Sequence, residues 1–146
     1  MGKGIDLQTQ DGSTLTIGIT RAMWNSELTD ELTQRCEHAI KECGAKVVIL
    51  DVPGAYETVF GAKVLIDKEK LDAVVCIAVL IKGETMHFEY ISEAVTHGIM
   101  DLSLTTGVPI IYGILNVLTE EQAKARVSHA TEWGLSAVHM ALQNHQ

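Results

Sequence analysis

The sequence predicts an α/β fold of the flavodoxin-like type, a three-layer sandwich in which helices cover both faces of a four-stranded parallel sheet. Two observations predict it. Short apolar runs alternate with amphipathic stretches four times along the chain, which is the pattern of consecutive right-handed βαβ units. The apolar runs are also nearly continuous, as is typical of strands that are buried on both faces.

The first unit begins with the apolar run TLTIGIT at residues 14–20, which predicts a buried strand. Asn25 and Ser26 then offer a helix cap, and Gly44 offers a stop for a helix over residues 27–43. Apolar side chains recur within that helix at spacings of three and four residues, which places them on one face. They are Leu28, Leu32, Cys36, Ala39, Ile40 and Cys43.

The second and third units repeat this pattern. The β-branched run KVVILDV at residues 46–52 predicts a strand, and residues 56–70 predict a helix after a Pro-Gly break. The run AVVCIAVLI at residues 73–81 is the clearest strand in the sequence. A long helix is predicted over residues 85–106, because apolar side chains follow one side of that stretch.

The fourth unit closes the chain. Gly107 and Pro109 end the long helix, and residues 109–115 predict the last strand. Thr119 caps a final helical region that extends to Asn144, with Gly134 as a candidate break within it.

The length of 146 residues predicts a single domain that can bury a core of its own. Residues 1–12 are polar and contain glycine, so we expect them to form a flexible N-terminal arm ahead of a domain spanning residues 13–146. No G-x-S-x-G or G-x-G-x-x-G motif is present, so the sequence does not favour a triad hydrolase or a dinucleotide-binding protein.

Charge and cysteine content restrict the partners. A formal net charge of −8 argues against binding to nucleic acid or to an anionic membrane. The longest apolar run, residues 73–81, is too short to cross a bilayer, and the N-terminus lacks the apolar segment of a signal peptide. The three cysteines fit neither a disulfide framework nor a common metal clip, which favours buried thiols in a reducing compartment. We therefore expect a cytoplasmic protein.

Ligands of open parallel sheets bind beyond the carboxyl ends of the strands. In this sequence four segments follow predicted strands: residues 21–25, 53–57, 82–87 and 116–120. These segments are therefore the candidate functional site.

The third segment contains a candidate anion site. Gly83 follows a predicted strand, and the free amides of Glu84, Thr85 and Met86 come next, at a predicted helix start. Free amides and the helix dipole favour an anion at such a position. The Thr85 hydroxyl is either a ligand donor or only the cap of the helix. The segment does not have the spacing of a Walker loop.

His87 lies in the first turn of that helix, beside the candidate anion site. A histidine at this position suits proton transfer because its pKa lies near neutrality; a surface or packing role is the alternative. The other five histidines form no ligand pattern such as HExxH, so no metal site is expected.

Three further side chains have two interpretations each. Trp24 follows the first strand and Tyr112 lies within the fourth, so the two rings could enclose a flat heterocycle or serve in ordinary packing. Arg126 lies in the last helical region, where it could hold a phosphate or be a solvated helix charge.

Several motifs together resemble the lumazine synthase family. Residues 51–57 (DVPGAYE) resemble its V-P-G-[AS]-[FYW]-E motif, and residues 79–90 (VLIKGETMHFEY) resemble its most distinctive segment in the form found in fungal members. The segment ISEAVTHG, the run GVP with YGIL, and EEQA with Arg126 follow in the order of the family. The resemblance extends from the first strand to the last helix.

The resemblance implies a reaction and a cofactor-free site. Members condense 5-amino-6-ribitylaminouracil with 3,4-dihydroxy-2-butanone 4-phosphate to 6,7-dimethyl-8-ribityllumazine, with release of phosphate and water. No metal or organic cofactor is implied, because the phosphate is a built-in leaving group and the amine is already nucleophilic. The small-molecule substrates would bind between subunits of a homo-oligomer, for which a pentamer is the expected state.

The resemblance also assigns roles. Trp24 would stack on the pyrimidine, and His87 would be the catalytic proton shuttle. The phosphate would bind to Gly83, Glu84 and Thr85, joined by Arg126 of a neighbouring subunit. The remaining substrate-binding positions are Asn25, Ala55, Tyr56, Glu57, Val79, Leu80, Ile81 and, from the neighbour's side, Tyr112.

Two other classes of function fit the same residues. One is a protein that binds flavin or lumazine on this fold without turning it over. The other is a scaffold that keeps the assembly while its active site has decayed or been redesigned. Product formation distinguishes the enzyme from both.

Overall fold

The computed structural model describes residues 5–146, and within them four strands alternate with helices in the predicted order. The last strand is followed by two helices rather than one. None of the helices in this part of the chain has the length and apolar character needed to cross a membrane. The elements are β1 (Thr16–Ala22), α1 (Ser26–Glu42), β2 (Lys46–Val52), α2 (Ala55–Lys68), β3 (Ala73–Ile81), α3 (His87–Thr106), β4 (Ile110–Val117), α4 (Glu120–Lys124) and α5 (His129–Asn144).

The sheet has the strand order β2-β1-β3-β4, and each neighbouring pair is parallel. The predicted fold class is therefore confirmed. The chain moves outward in one direction from β1 to β2 and in the other direction from β3 to β4. The order reverses between β1 and β3, and this reversal opens a crevice at the carboxyl ends of those two strands.

Helices bury both faces of the sheet. The side chains of β3 alternate between two apolar clusters, so that Val75 and Ile77 join the cluster beneath α1 and α5, whereas Val74 and Cys76 join the cluster beneath α2 and α3. All four are fully buried. This alternation explains why the β3 sequence is apolar without interruption.

Two strands have the predicted bounds, and β1 differs from the prediction. Lys46–Val52 and Ala73–Ile81 match, because each is a closed apolar run. The strand predicted over residues 14–20 lies instead at Thr16–Ala22. The strand continues through Arg21, whose Nε donates to Asp51 Oδ1 of β2 at 2.7 Å. The Arg21 charge, which ends the apolar run in the sequence, is thus paired with a carboxylate on the neighbouring strand.

The last helical region divides at residues 125–128, not at Gly134. Gly134 lies inside α5, where that helix crosses α1 at short range. A Cβ on Gly134 would lie 2.6 Å from the Cys36 carbonyl oxygen and 3.1 Å from Ala39 Cβ. This glycine therefore permits close helix packing and does not end a helix.

The first part of the predicted arm, residues 1–4, lies outside the described residues. Residues 5–11 have no helix or strand, and the Gly12 amide donates to the Cys43 carbonyl oxygen at 2.7 Å. Gln10 also joins this segment to α5, because its Oε1 lies 3.1 Å from Nδ1 of His139.

All three cysteines are buried free thiols. Burial raises the pKa of Cys36 to about 12, with a smaller contribution from the nearby Glu37 carboxylate. Burial also raises the pKa of Cys76 to about 11, although its contacts with Thr20 and Thr58 act in the opposite direction. These side chains are therefore packing groups rather than nucleophiles.

Candidate active site

A cavity of about 520 Å³ lies at the crevice between the carboxyl ends of β1 and β3. Three of the four predicted segments contribute to it: those after β1, β2 and β3. The segment after β4 does not contribute, because β4 is the far edge strand. The cavity is lined by Trp24, Asn25, Gly54, Ala55, Tyr56, Glu57, Val79, Leu80, Ile81, His87 and Ile91.

Trp24 and Glu57 meet over Gly54 on one wall of the cavity. A Cβ on Gly54 would lie 3.2 Å from Trp24 Cδ1 and 3.3 Å from Glu57 Oε1, so the indole and the carboxylate both approach the bare backbone. Glu57 Oε1 accepts the Gly54 amide proton at 2.9 Å, which caps α2 and fixes the carboxylate. The Trp24 side chain is 73% exposed, so its ring is open to a ligand.

The end of β3 supplies backbone groups to the cavity. Its last pairing with β1 joins Ile77 to Arg21, whereas its pairing with β4 continues to Ile81. Residues 78–81 therefore lie beyond the last β1 partner, with one edge of their backbone toward the crevice. Asn25 Nδ2 donates to the Val79 carbonyl oxygen at 2.9 Å, so part of this edge is already bonded.

Asn25 does not cap α1 through its side chain, as the sequence had suggested. It occupies the N-cap position in the left-handed conformation, with φ 61° and ψ 46°, and makes no side-chain cap hydrogen bond. Its amide reaches across the crevice to β3 instead. Asn25 thus ties the β1–α1 turn to the end of β3 and holds one wall of the cavity.

We expect Asn25→Ala to destabilise the protein by about 2 kcal/mol. About half comes from the left-handed conformation, which alanine adopts poorly, and half from the lost hydrogen bond to Val79. Asn25→Gly loses only the hydrogen bond and should be the more stable variant by about 1 kcal/mol. Urea unfolding of both variants measures the difference; equal stabilities would show that the backbone conformation is not a cost at this position.

His87 is the first residue of α3, and Ile91 lies one turn later on the same side. Both line the cavity. The His87 ring is exposed, so it can exchange protons with a ligand and with water. Its amide donates to Thr85 Oγ1 at 3.3 Å, which explains why the helix begins two residues later than the predicted start at 85.

The predicted anion-binding segment does not line this cavity. Gly83, Glu84 and Thr85 form an exposed connection between β3 and α3, immediately before His87. A Cβ on Gly83 would meet nothing within 4 Å, so the outer side of this connection is open. The segment is therefore adjacent to the cavity rather than within it.

Tyr112 and Arg126 also lie away from the cavity within one chain. Tyr112 is on the edge strand β4, where its hydroxyl lies 3.1 Å from Thr96 Oγ1 and donates to Asn116 Oδ1. Arg126 lies in the turn between α4 and α5, not inside a helix as predicted, and its Nη1 donates to the Gln122 carbonyl oxygen at 2.9 Å. Arg126 is exposed, whereas Tyr112 is partly buried against the cluster beneath α2 and α3.

Gly54 lies within the predicted segment 53–57 but was given no role of its own, and Ile91 lies outside the four predicted segments; both line the cavity. The Gly54 contribution depends on the close approach of Trp24, which the sequence does not reveal. The position of Ile91 could have been found, because it follows His87 by one helical turn. Among residues 5–146, no three His, Cys, Asp or Glu side chains are grouped as metal ligands would be.

The cavity has a defined chemical character. Its lining presents an indole and a carboxylate side by side over Gly54, together with an exposed imidazole, while no Lys or Arg is among the lining residues. Such a site can stack a flat ring, accept hydroxyl protons and move a proton. A phosphate would need its cation from outside this lining.

Comparisons with known proteins show which family the chain belongs to. The family model of 6,7-dimethyl-8-ribityllumazine synthase matches residues 14–145. The chain is 42% identical to a protein of that name from Schizosaccharomyces pombe, with coverage of 97% of this chain and 95% of the relative. A relative from Pyricularia oryzae is 36% identical, with coverage of 97% and 94%, and one from Flavobacterium psychrophilum is 37% identical, with coverage of 88% and 72%. The chain therefore belongs to the 6,7-dimethyl-8-ribityllumazine synthase family.

Proposed function

We propose that the protein acts in riboflavin biosynthesis by condensing 5-amino-6-ribitylaminouracil with 3,4-dihydroxy-2-butanone 4-phosphate to give 6,7-dimethyl-8-ribityllumazine. The observation that carries the proposal is the cavity that brings Trp24, Glu57 and His87 together, in a member of this family. A protein that only binds flavin or lumazine would need the first two groups but not the third.

The geometry supports a definite orientation of the pyrimidine substrate. Trp24 would stack on its ring, with Asn25, Ala55 and Tyr56 beside it. Glu57 Oε1 is occupied by the Gly54 amide, so Oε2 is the oxygen that would accept the ribityl hydroxyl protons. The backbone of Val79, Leu80 and Ile81 would complete the pocket along the open edge of β3.

The reaction needs proton transfers that one imidazole can serve. The 5-amino group attacks the ketone carbon, and loss of water gives an imine. Removal of a proton from the adjacent carbon then expels phosphate and leaves an enol, which takes up a proton to become a methyl ketone. The ribitylamino nitrogen attacks this carbonyl carbon, the ring closes and a second water leaves. His87 would carry protons in the dehydration and elimination steps. Much of the remaining acceleration would come from holding the two substrates together.

The phosphate would lie on Gly83, Glu84 and Thr85, beside His87. We propose that Arg126 and Tyr112 of a neighbouring subunit complete the site, because neither lines the cavity of its own chain and Arg126 is exposed. The oligomer would be a pentamer, with sites at the subunit interfaces and no metal or organic cofactor. Its location would be the cytoplasm, in keeping with three free buried thiols.

The test is to mix purified protein with both substrates and follow the lumazine product by absorbance and fluorescence, against a blank without protein. We expect turnover well above the blank. His87→Ala should lower kcat by about 10-fold to 100-fold, at or below the usual range for acid–base catalysis, because solvent reaches this ring and can replace it in part.

His87→Asn is the matched variant, since it keeps a polar side chain of similar reach but cannot shuttle a proton at neutral pH. Equal kcat values for the wild type and both variants would remove His87 as the proton shuttle while leaving the enzyme. Product at the blank rate, with tight riboflavin binding, would support the binding protein; the blank rate without binding would support the scaffold.

A further inference from the structure

An ion pair closes the connection between β3 and α3. Lys82 follows the last residue of β3, and its Nζ pairs with Glu89 in the first turn of α3. The Lys82 amide also donates to the Val117 carbonyl oxygen at 2.9 Å, which fixes its backbone to the sheet. Its Nζ lies 5.9 Å from the centre of the Phe88 ring. Lys82 thus joins the sheet to the start of the helix.

The connection between these two residues has little support of its own. Residues 83–86 are exposed, and Thr85 Oγ1 bonds only to the amide of the nearby His87. The Met86 carbonyl oxygen accepts a hydrogen bond from the Tyr90 amide, and this bond belongs to the first turn of α3. No side-chain hydrogen bond joins this connection to another element within the described residues. Its position therefore depends on what holds its two ends.

Glu89 is well placed to hold the helix end of this connection. One of its oxygens faces Lys82, and the other, Oε1, is shielded from solvent and has no hydrogen-bond partner among residues 5–146. The Lys82 ammonium lowers the pKa of this carboxyl group. A carboxylate in the first turn also interacts favourably with the helix dipole. Glu89 is therefore held as an anion facing one cation.

We propose that Lys82 is a positioning residue that acts through Glu89, holding residues 83–86 and the first turn of α3 so that His87 faces the cavity, and that it is not itself a ligand of the phosphate. The inference rests on the proposed function for its kinetic consequence. It follows that Lys82 is neutralised within its own chain, so the cation for the phosphate has to come from elsewhere.

Kinetics of two variants separate positioning from direct binding. Glu89→Gln breaks the pair and leaves Lys82 in place; we expect kcat to fall about 5-fold to 10-fold, with KM for the phosphate substrate changed less than about 3-fold. The double variant K82M/E89Q should match E89Q in both constants, because Lys82 has no further role once Glu89 is removed. Lys82→Arg keeps the pair and should stay within about 2-fold of wild type in kcat.

The matched control is the Lys63–Asp67 pair of α2, which joins Nζ to Oδ2 at 2.6 Å on an exposed face. Asp67→Asn should leave both constants unchanged. If K82M/E89Q raises KM for the phosphate substrate about 10-fold above that of E89Q, then Lys82 binds the phosphate directly and the proposal is wrong.

Amide hydrogen exchange tests the positioning without any turnover. In E89Q, and in K82M as a second variant, the first hydrogen-bonded amides of α3, residues 90–93, should exchange about 10-fold faster than in wild type, while those of α2 stay unchanged. Unchanged exchange in both variants would overturn the proposal. Absence of product from the wild type would count against the proposed function, and the exchange result would still decide the role of the pair.

Discussion

Replacing Gly134 by alanine is expected to lower the free energy of unfolding by about 2–3 kcal/mol. The added methyl group would lie 2.6 Å from the Cys36 carbonyl oxygen, a backbone atom that cannot rotate away, and 3.2 Å from Ile40 Cγ1. Helices α1 and α5 would therefore have to move apart over a closely packed cluster. This cost exceeds the gain of about 1 kcal/mol that alanine normally brings to a helix interior.

Gly98 provides the matched control, because it too lies inside a helix. A Cβ there would lie 3.4 Å from the two methyl groups of Val59, which is ordinary contact distance. Gly98→Ala should be neutral or stabilise by up to about 1 kcal/mol. Urea unfolding of both variants measures the contrast. A Gly134→Ala variant as stable as Gly98→Ala would mean that the contact between α1 and α5 is looser than 2.6 Å implies.

Arg126→Ala is expected to lower kcat/KM for the phosphate substrate by about 30-fold to 100-fold. A charged hydrogen bond to an anion contributes about 1.5–3 kcal/mol, and the cavity lining contains no Lys or Arg of its own. The change should appear mainly in KM, because the group binds phosphate before it leaves. Lys124→Ala, on the same surface but paired with Glu120, is the control and should have little effect.

Mixed oligomers test which subunit supplies Arg126. His87→Ala and Arg126→Ala subunits are each defective in one half of a shared site, so co-expression in equal amounts should restore about a quarter of the sites. Activity well above that of either variant alone is the expected result. Activity equal to their average would show that His87 and Arg126 serve the same site from one chain, contrary to the proposed arrangement.

How far the sequence predicted the fold depended on how local each signal was. The runs that became β2 and β3 had correct bounds because burial on both faces requires an unbroken apolar stretch. The end of β1 was missed because Arg21 is a strand residue only when Asp51 lies beside it. Gly134 was misread because a helix-breaking glycine and a close-contact glycine look alike until the second helix is in place.

The same difference between local and long-range signals explains which site residues the sequence predicted. The segments after the first three strands were predicted from topology and converge on one cavity. The role of Asn25 could not be predicted, since its amide bonds to a carbonyl oxygen 54 residues away. The Lys82–Glu89 pair was also missed, because it crosses a connection with no helical spacing to reveal it. The roles proposed for Tyr112 and Arg126 involve a second subunit, which no pattern within one chain describes.

The buried cysteines make each layer of the sandwich observable by chemical labelling. Alkylating reagents attack thiolates, and at pH 8 a thiol with a pKa of about 12 is ionised in only about one molecule in ten thousand. Cys36 lies in the cluster beneath α1 and α5, and Cys76 in the cluster beneath α2 and α3. Neither thiol should be alkylated until the helices that cover it separate from the sheet. The order in which the two positions become modified would therefore report which face of the subunit opens first.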